Sequence, residues 1–278
     1  LTAPRFQKSR FDLYKQKQLQ GMKQRNDDSK SIERRELLRL AYGPDFFRNV
    51  IPTKASVESI TVEDLRAFHQ AWFHPDNFVV AVSGDFDRKT MVAKLEKLFA
   101  KWPFTGKAAV PVPTNKRFAK PGIYIVDKDV NQGRVNIMLP GIHRDHPDFY
   151  AVQVMNDILG GGGFTSRITN RVRSDEGLAY SAYSFMPGGT YYPLTFVAGY
   201  QSKSGTVAYA AQIVLEELRR IAVEPVTDKE MVTAKSSYIQ TFPQKFETKG
   251  KVAATFADEE FTGRGARNPA HFKEFRAK

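Results

Sequence analysis

The sequence contains no cysteine among its 278 residues. That excludes disulfides, thiolate nucleophiles and thiolate-ligated metals. It does not fix the compartment, though it is compatible with an oxidising one. No apolar run approaches the roughly 20 residues needed to cross a bilayer as a helix. The opening residues, Leu1-Thr2-Ala3-Pro4-Arg5, lack the regions of a signal peptide and read as the interior of a longer polypeptide. Histidine is scarce, at five, and no two histidines stand with a glutamate at metal-binding spacing. His143-Arg144-Asp145-His146 comes nearest, but it runs into Pro147-Asp148 and reads as a strand-to-helix turn. His69 and His74 flank a helix end and a proline turn, and His271 lies in a polar tail. No metal ligand is therefore expected within this chain.

Acidic residues are in the minority, 30 against 42 basic, for a formal charge of +12. Such a surface attracts anionic partners, and a basic nucleic-acid-binding protein is a remote alternative reading. The cations sit beside acids, however, as in Glu33-Arg34-Arg35-Glu36 and Glu216-Glu217-Leu218-Arg219-Arg220. That pattern belongs to ordinary solvated helices, so no nucleic-acid partner is expected. The apolar content, 41% with 12% aromatic, supplies a core for one large or two ordinary domains.

Apolar periodicity predicts helices over residues 11–42, interrupted by the turn Asn26-Asp27-Asp28-Ser29. Thr61 with Asp64 forms a capping box, and Leu65, Phe68, Trp72 and Phe73 continue that helix's apolar face. Residues 78–83 are almost wholly apolar and predict a central strand. The next helix turns Met91, Leu95 and Leu98 inward. Prolines 103, 111, 113 and 121 then mark a linker. Beyond it, residues 122–126 and 133–139 read as strands, 147–159 and 166–174 as helices, 179–185 and 194–200 as antiparallel strands. Residues 206–222 form an amphipathic helix, and a helical pair starts at Thr227 and runs to about Phe261. That last pair has the texture of residues 11–42, which suggests two related halves.

The most informative stretch is Leu159-Gly160-Gly161-Gly162-Gly163-Phe164-Thr165-Ser166-Arg167, followed by Arg173 and Gly177-Leu178-Ala179-Tyr180. A phosphate loop would need a lysine where Phe164-Thr165-Ser166 stands, and a dinucleotide fingerprint would need a preceding strand. Close packing of helix on sheet is the simpler use of the glycines. Arg173 and Tyr180 pair a cation with a phenol, a combination suited to gripping a polarised carbonyl. Tyr183, Phe185, Tyr191 and Tyr192 form an aromatic group near Tyr180.

These motifs resemble the second domain of pitrilysin/insulinase-family zinc peptidases, which include processing peptidases. Tyr42-Gly43-Pro44, Phe73-His74-Pro75-Asp76-Asn77 and Ser83-Gly84-Asp85-Phe86 resemble the later part of the first domain. The resemblance implies an α+β fold of two related domains, each a mostly antiparallel sheet packed with helices, and both incomplete in this chain. Residues 1–105 would be the C-terminal part of the first domain, 106–121 a linker, and 122–278 the truncated substrate-clamping domain. Substrate would lie as an extended strand in a cavity between the domains. Arg173 and Tyr180 would contact its scissile carbonyl, with Gly160, Gly161, Gly162 and Tyr183 lining the site.

The family's zinc is held by His-x-x-Glu-His and a later glutamate. That motif is absent here, and the late-glutamate position falls near Gly21, between Gln20 and Met22. Zinc is thus expected in the intact family enzyme and not on this chain. Two readings stay open: part of a zinc peptidase whose motif lies upstream or in a partner subunit, or a non-catalytic peptide-binding partner. This chain alone is expected to be inactive. By analogy with bacterial members, a periplasmic or secreted location is expected.

Overall fold

The structure is a computed structural model that describes residues 2–102, 110–114 and 118–264. Much of the expected linker, residues 106–109 and 115–117, lies outside the described residues, as does the tail from residue 265 with His271.

Two compact units form. Among the described residues, one comprises 2–28, 51–102, 110–112 and 243–264; the other comprises 29–50, 113–114 and 118–242. The first contains α1 (Lys8–Gln24), α3 (Lys54–Ser59), α4 (Val62–Trp72), α5 (Arg88–Ala100) and α10 (Lys249–Phe261). The second contains α2 (Ser29–Tyr42), β1 (Gln132–Pro140), α6 (Phe149–Asn156), α7 (Arg167–Thr169), β2 (Ala179–Phe185), β3 (Thr195–Lys203), α8 (Val207–Val223) and α9 (Asp228–Thr241). Helices layered on an antiparallel sheet give the expected α+β class.

In the first unit, helix starts follow side-chain chemistry. Thr61 and Asp64 cap α4 reciprocally, Thr53 and Ser56 do the same for α3, and Asp87 caps α5 through the Thr90 N–H. A local aromatic cluster forms where Phe78 and Phe99 meet the buried Trp102. The strand expected at residues 78–83 does not form. Those residues carry no sheet ladder, and Val79, Val80 and Val82 are exposed. A strand requires a hydrogen-bonded neighbour, and no described residue of this unit supplies one. Without a sheet to cover, Phe68 of α4 and Leu98 of α5 stay half exposed rather than turning fully inward.

In the second unit the strand order is β1-β3-β2, antiparallel throughout. The expected strand at residues 122–126 is absent for the same reason: it finds no partner, and Ile123 is 92% exposed. Alternation in the three strands splits their faces. Ala182, Phe196, Ala198 and Tyr200 face the core, where Leu159, Ile168, Val172, Ala210, Ile213 and Val214 complete a buried cluster. Burial there pushes the Tyr200 phenol up to about 12. On the opposite face, α2 is pinned to β1: Glu33 accepts from Arg134 Nε at 2.7 Å and from Asn136.

The glycine run sits where the helix layer touches the sheet. After α6 the chain continues as a π-turn, Asp157–Gly161, which brings Gly160 onto β2. A methyl group at Gly160 would collide with the Ser184 backbone nitrogen, with Ser184 Cβ only 2.9 Å away. Farther on, Arg167 of α7 forks onto Glu230 of α9 at 2.6 and 2.9 Å. Those bonds hold the Glu230 carboxyl down at about 2, from an ordinary 4.5.

Gly160→Ala is expected to lose about 1–3 kcal/mol in urea unfolding. Gly21→Ala, within α1 and with open space where its Cβ would stand, should be neutral or gain up to about 1 kcal/mol. Equal effects would refute the close-contact account. The Glu230 contribution has a definite sign. Its folded pKa is depressed, so its stabilisation is complete above about 4.5 and is lost as pH falls toward about 2. Arg167→Met should cost roughly 1–3 kcal/mol at neutral pH and flatten the stability profile across that window, measured by denaturation at several pH values.

Candidate functional site

Arg173 lies in the π-turn Asn170–Asp175 that follows α7. The residue before it, Val172, is fully buried in the core, so the backbone beneath Arg173 is fixed. The turn ends at Gly177, whose φ of +61° is a left-handed conformation that a side chain would strain. Its N–H donates to the Arg173 carbonyl at 3.2 Å, and the Leu178 N–H to the Val172 carbonyl at 2.9 Å. The chain then enters β2, where Ala179 is buried and Tyr180 is 83% exposed. Arg173 and Tyr180 are thereby brought together: the guanidinium carbon stands 4.5 Å from the Tyr180 ring centroid.

A third residue, missed in the sequence, joins them. Phe164, in the short 3-10 turn Gly163–Thr165, places its ring centroid 4.5 Å from the same guanidinium carbon. Its only sequence signal is a large apolar residue inside a glycine-rich turn, where a polar one is usual.

The neighbouring arginines behave differently. Arg134 pairs with Glu33, Arg167 with Glu230, Arg171 with Glu216 and Glu217, and Arg220 with Glu217 and Glu224. Among the described residues, no carboxylate stands within ion-pair distance of Arg173, and none offers the Tyr180 hydroxyl a hydrogen bond. The cation is held by ring faces, and its N–H donors remain available to an acceptor.

The other expected site residues lie as follows. Gly160 is buried against Ser184. Gly161 is exposed and packs on the Asn156 amide, while Gly162 closes on the Asp157 carbonyl. Tyr183 lies across β3 above Gly199, with its hydroxyl 3.4 Å from Asn136 Oδ1. Burial, then the nearby Glu33, raise its pKa. The expected aromatic group does not assemble around Tyr180, whose ring contact among the described residues is with Arg173. Tyr192 packs instead with Tyr42, Phe46 and Phe47, and Arg48 donates to its hydroxyl at 3.0 Å. These partners come from α2 and the turn after it, a contact too distant in sequence for local pattern to reveal.

Zinc is the metal the resemblance implies, and the donor set does not fit it. Among the described residues, no group of three or more His, Asp or Glu side chains is placed to share an ion. His143 Nε2 lies 2.6 Å from the Thr190 carbonyl, and its Nδ1 accepts from the Asp145 N–H. His146 Nδ1 accepts from the Asp148 N–H. Both histidines therefore organise the turn predicted for them. Gly21 lies within α1 and offers no donor side chain. Among the described residues, no helix is long and apolar enough to cross a membrane.

Helices layered on a three-stranded antiparallel sheet give the fold of a metallopeptidase-like domain. The family described as Peptidase M16 inactive domain matches residues 59–238, and the chain belongs to that family. It is 31% identical over 198 residues to an uncharacterized zinc protease of Mycobacterium leprae, covering 68% of this chain and 43% of that protein. A Helicobacter pylori protein named a non-peptidase homolog is 26% identical over 251 residues, covering 89% of this chain and 57% of that one. The crystal structure of a peptidase M16 inactive domain from Pseudomonas fluorescens shares the fold, with a TM-score of 0.82 at 23% identity over 99% of this chain and 64% of that chain. The chain thus spans less than two thirds of the length of each of these proteins.

Replacing Gly177 by alanine leaves ample space but forces a left-handed alanine. It should cost about 1 kcal/mol and displace Arg173 from the Tyr180 ring. A crystal structure of the variant with that stacking unchanged would count against this turn as what aims the pair.

Proposed function

We propose that this chain supplies the peptide-gripping part of an M16-type peptidase. Arg173 and Tyr180 hold a main-chain carbonyl of an extended peptide or protein substrate and stabilise negative charge developing on its oxygen. One observation carries this reading: a guanidinium fixed by aromatic faces, with no carboxylate partner among the described residues, beside an exposed phenol. Donors aimed at a developing oxyanion are among the strongest single contributions to catalysis. A grip on main chain also tolerates many side chains, which suits loose sequence preference. Gly160, Gly161, Gly162 and Tyr183 border this clamp.

The hydrolytic centre lies elsewhere in this reading, in an upstream half or a motif-bearing partner subunit. When bound there, zinc would activate the attacking water. Residues 1–105 then belong to the metal-bearing domain and 122–278 to the clamp, joined by the linker 106–121. The assembly works in the periplasm or outside the cell, a location compatible with a cysteine-free chain.

A second reading is a partner subunit that binds peptide without taking part in hydrolysis. It is favoured by the non-peptidase homolog name of a relative that covers most of this chain. A mixing experiment separates the two. This chain with zinc alone should turn over no peptide. With a motif-bearing half from the same source, activity should appear, and Arg173→Ala should lower kcat about 10²-fold and Tyr180→Phe about tenfold. Robust turnover by this chain alone would overturn both readings. Silent substitutions in an active mixture would leave the pair a structural role.

A further inference from the structure

We infer that Phe164 is a positioning residue for the clamp, holding the Arg173 guanidinium in the orientation that meets the substrate carbonyl. This rests on the proposed reading of Arg173 and Tyr180 as a peptide grip.

Tyr180 alone does not determine where the cation points. A guanidinium on three methylenes has several rotamers that keep contact with one ring, and it is free to swing along that ring's edge. A second ring at the same 4.5 Å distance removes most of that freedom. Arginine's planar group lies well against aromatic faces while its N–H donors project outward in the plane. Two rings therefore fix the plane of the fork without consuming its donors. A carboxylate would also fix the side chain, but it would take the N–H groups and neutralise the charge, as happens at Arg167 and Arg171.

Phe164 is itself held by more than chance. Its turn is closed on both sides. Thr165 Oγ1 donates to the Gly162 carbonyl at 2.9 Å, and Ser166 Oγ to the Gly163 carbonyl at 2.7 Å. Ser166 is fully buried, so the turn is anchored to the core two residues past the ring. Phe164 is nonetheless 65% exposed. A large apolar ring facing solvent from a doubly tied turn contributes little by burial, and its contact with Arg173 accounts for its placement.

The test has two independent readouts on the full chain. The first is the Arg173 Nε–Hε resonance, assigned by its loss in Arg173→Lys. Ring currents from two faces shift it upfield. Phe164→Ala should move it back toward the ordinary position, Phe164→Leu should do the same although it restores bulk, and Phe164→Tyr should keep the shift. The second is affinity for fluorescein-labelled β-casein, a disordered polypeptide, measured by anisotropy. Phe164→Ala and Phe164→Leu should each weaken binding about three- to fivefold, and Phe164→Tyr should restore it. Arg173→Ala serves as the reference for complete loss of the grip. If Phe164→Ala moves the resonance while binding stays unchanged and Arg173→Ala still weakens it, the clamp stands and the positioning role is overturned. If Arg173→Ala also leaves binding unchanged, the grip reading fails and this inference fails with it. An unmoved resonance in Phe164→Ala overturns the inference on geometry alone.

Discussion

The second unit depends on one close approach, the backbone of Gly160 against the backbone of Ser184 on β2. A helix and a sheet normally stay apart by the width of their side chains. Here a π-turn drops a bare Cα onto the strand, and polar groups on either side lock the contact. Ser184 Oγ donates to Asn156 Oδ1 at 2.9 Å, Gln153 Nε2 to the Met186 carbonyl at 2.7 Å, and Thr169 Oγ1 to the Ala182 carbonyl at 2.9 Å. Thr169 thereby takes one main-chain carbonyl of β2, and Gln153 takes another just past the strand's end, groups that would otherwise be open to another strand. They also fix where the next two turns leave the surface. Phe164 and Arg173 stand where they do because Gly160 cannot be anything larger.

The π-turns govern charge as well as shape. In the turn Asn170–Asp175, Arg171 reaches across to the carboxylates of Glu216 and the fully buried Glu217 on α8. Two residues later Arg173 is turned from α8 toward β2 and meets rings instead of acids. A buried glutamate needs its cations, since an unpaired charge in the core costs several kcal/mol. Arg171 and Arg220 meet that need for Glu217. Arg173 is spared it, and a cation spared from structural pairing retains the donors that a ligand requires. The widened helical turn, a feature often found at functional sites, sends neighbouring arginines to opposite duties.

Helix starts were legible because they are written locally. Thr61 with Asp64 and Thr227 with Glu230 sit three residues apart and cap as the spacing requires. The strands β1, β2 and β3 were legible by alternation and by turns between them. Residues 78–83 and 122–126 show the limit of that reasoning. An apolar run reports the wish to be buried, while a strand also needs a neighbour, and its presence is not encoded within the run. Tyr192 shows another limit, since its partners Tyr42 and Phe46 stand about 150 positions earlier. Arg173 and Tyr180 were singled out through a familiar pattern around them, and the structure brings their side chains together. Phe164 belongs to no such pattern, and only the path of the glycine-rich turn and the turn Asn170–Asp175 brings its ring to the guanidinium.

The proposed clamp also illustrates how surface groups are given fixed positions. Arg173 follows Val172, which is fully buried; Tyr180 follows Ala179, the buried first residue of β2; Phe164 precedes the buried Ser166 by two residues. Each of these side chains is thus separated from the core by one or two residues of backbone rather than by a long loop. Ordering these residues costs conformational entropy that folding of the core has already met, so little is left for substrate to supply on binding. That is the arrangement a binding site needs when its contacts are few: rigid support below and unfilled hydrogen-bond donors above. The same economy would let the proposed grip work without an ion of its own. Its charge and its direction both come from an arginine whose backbone the core has fixed and whose side chain two rings hold.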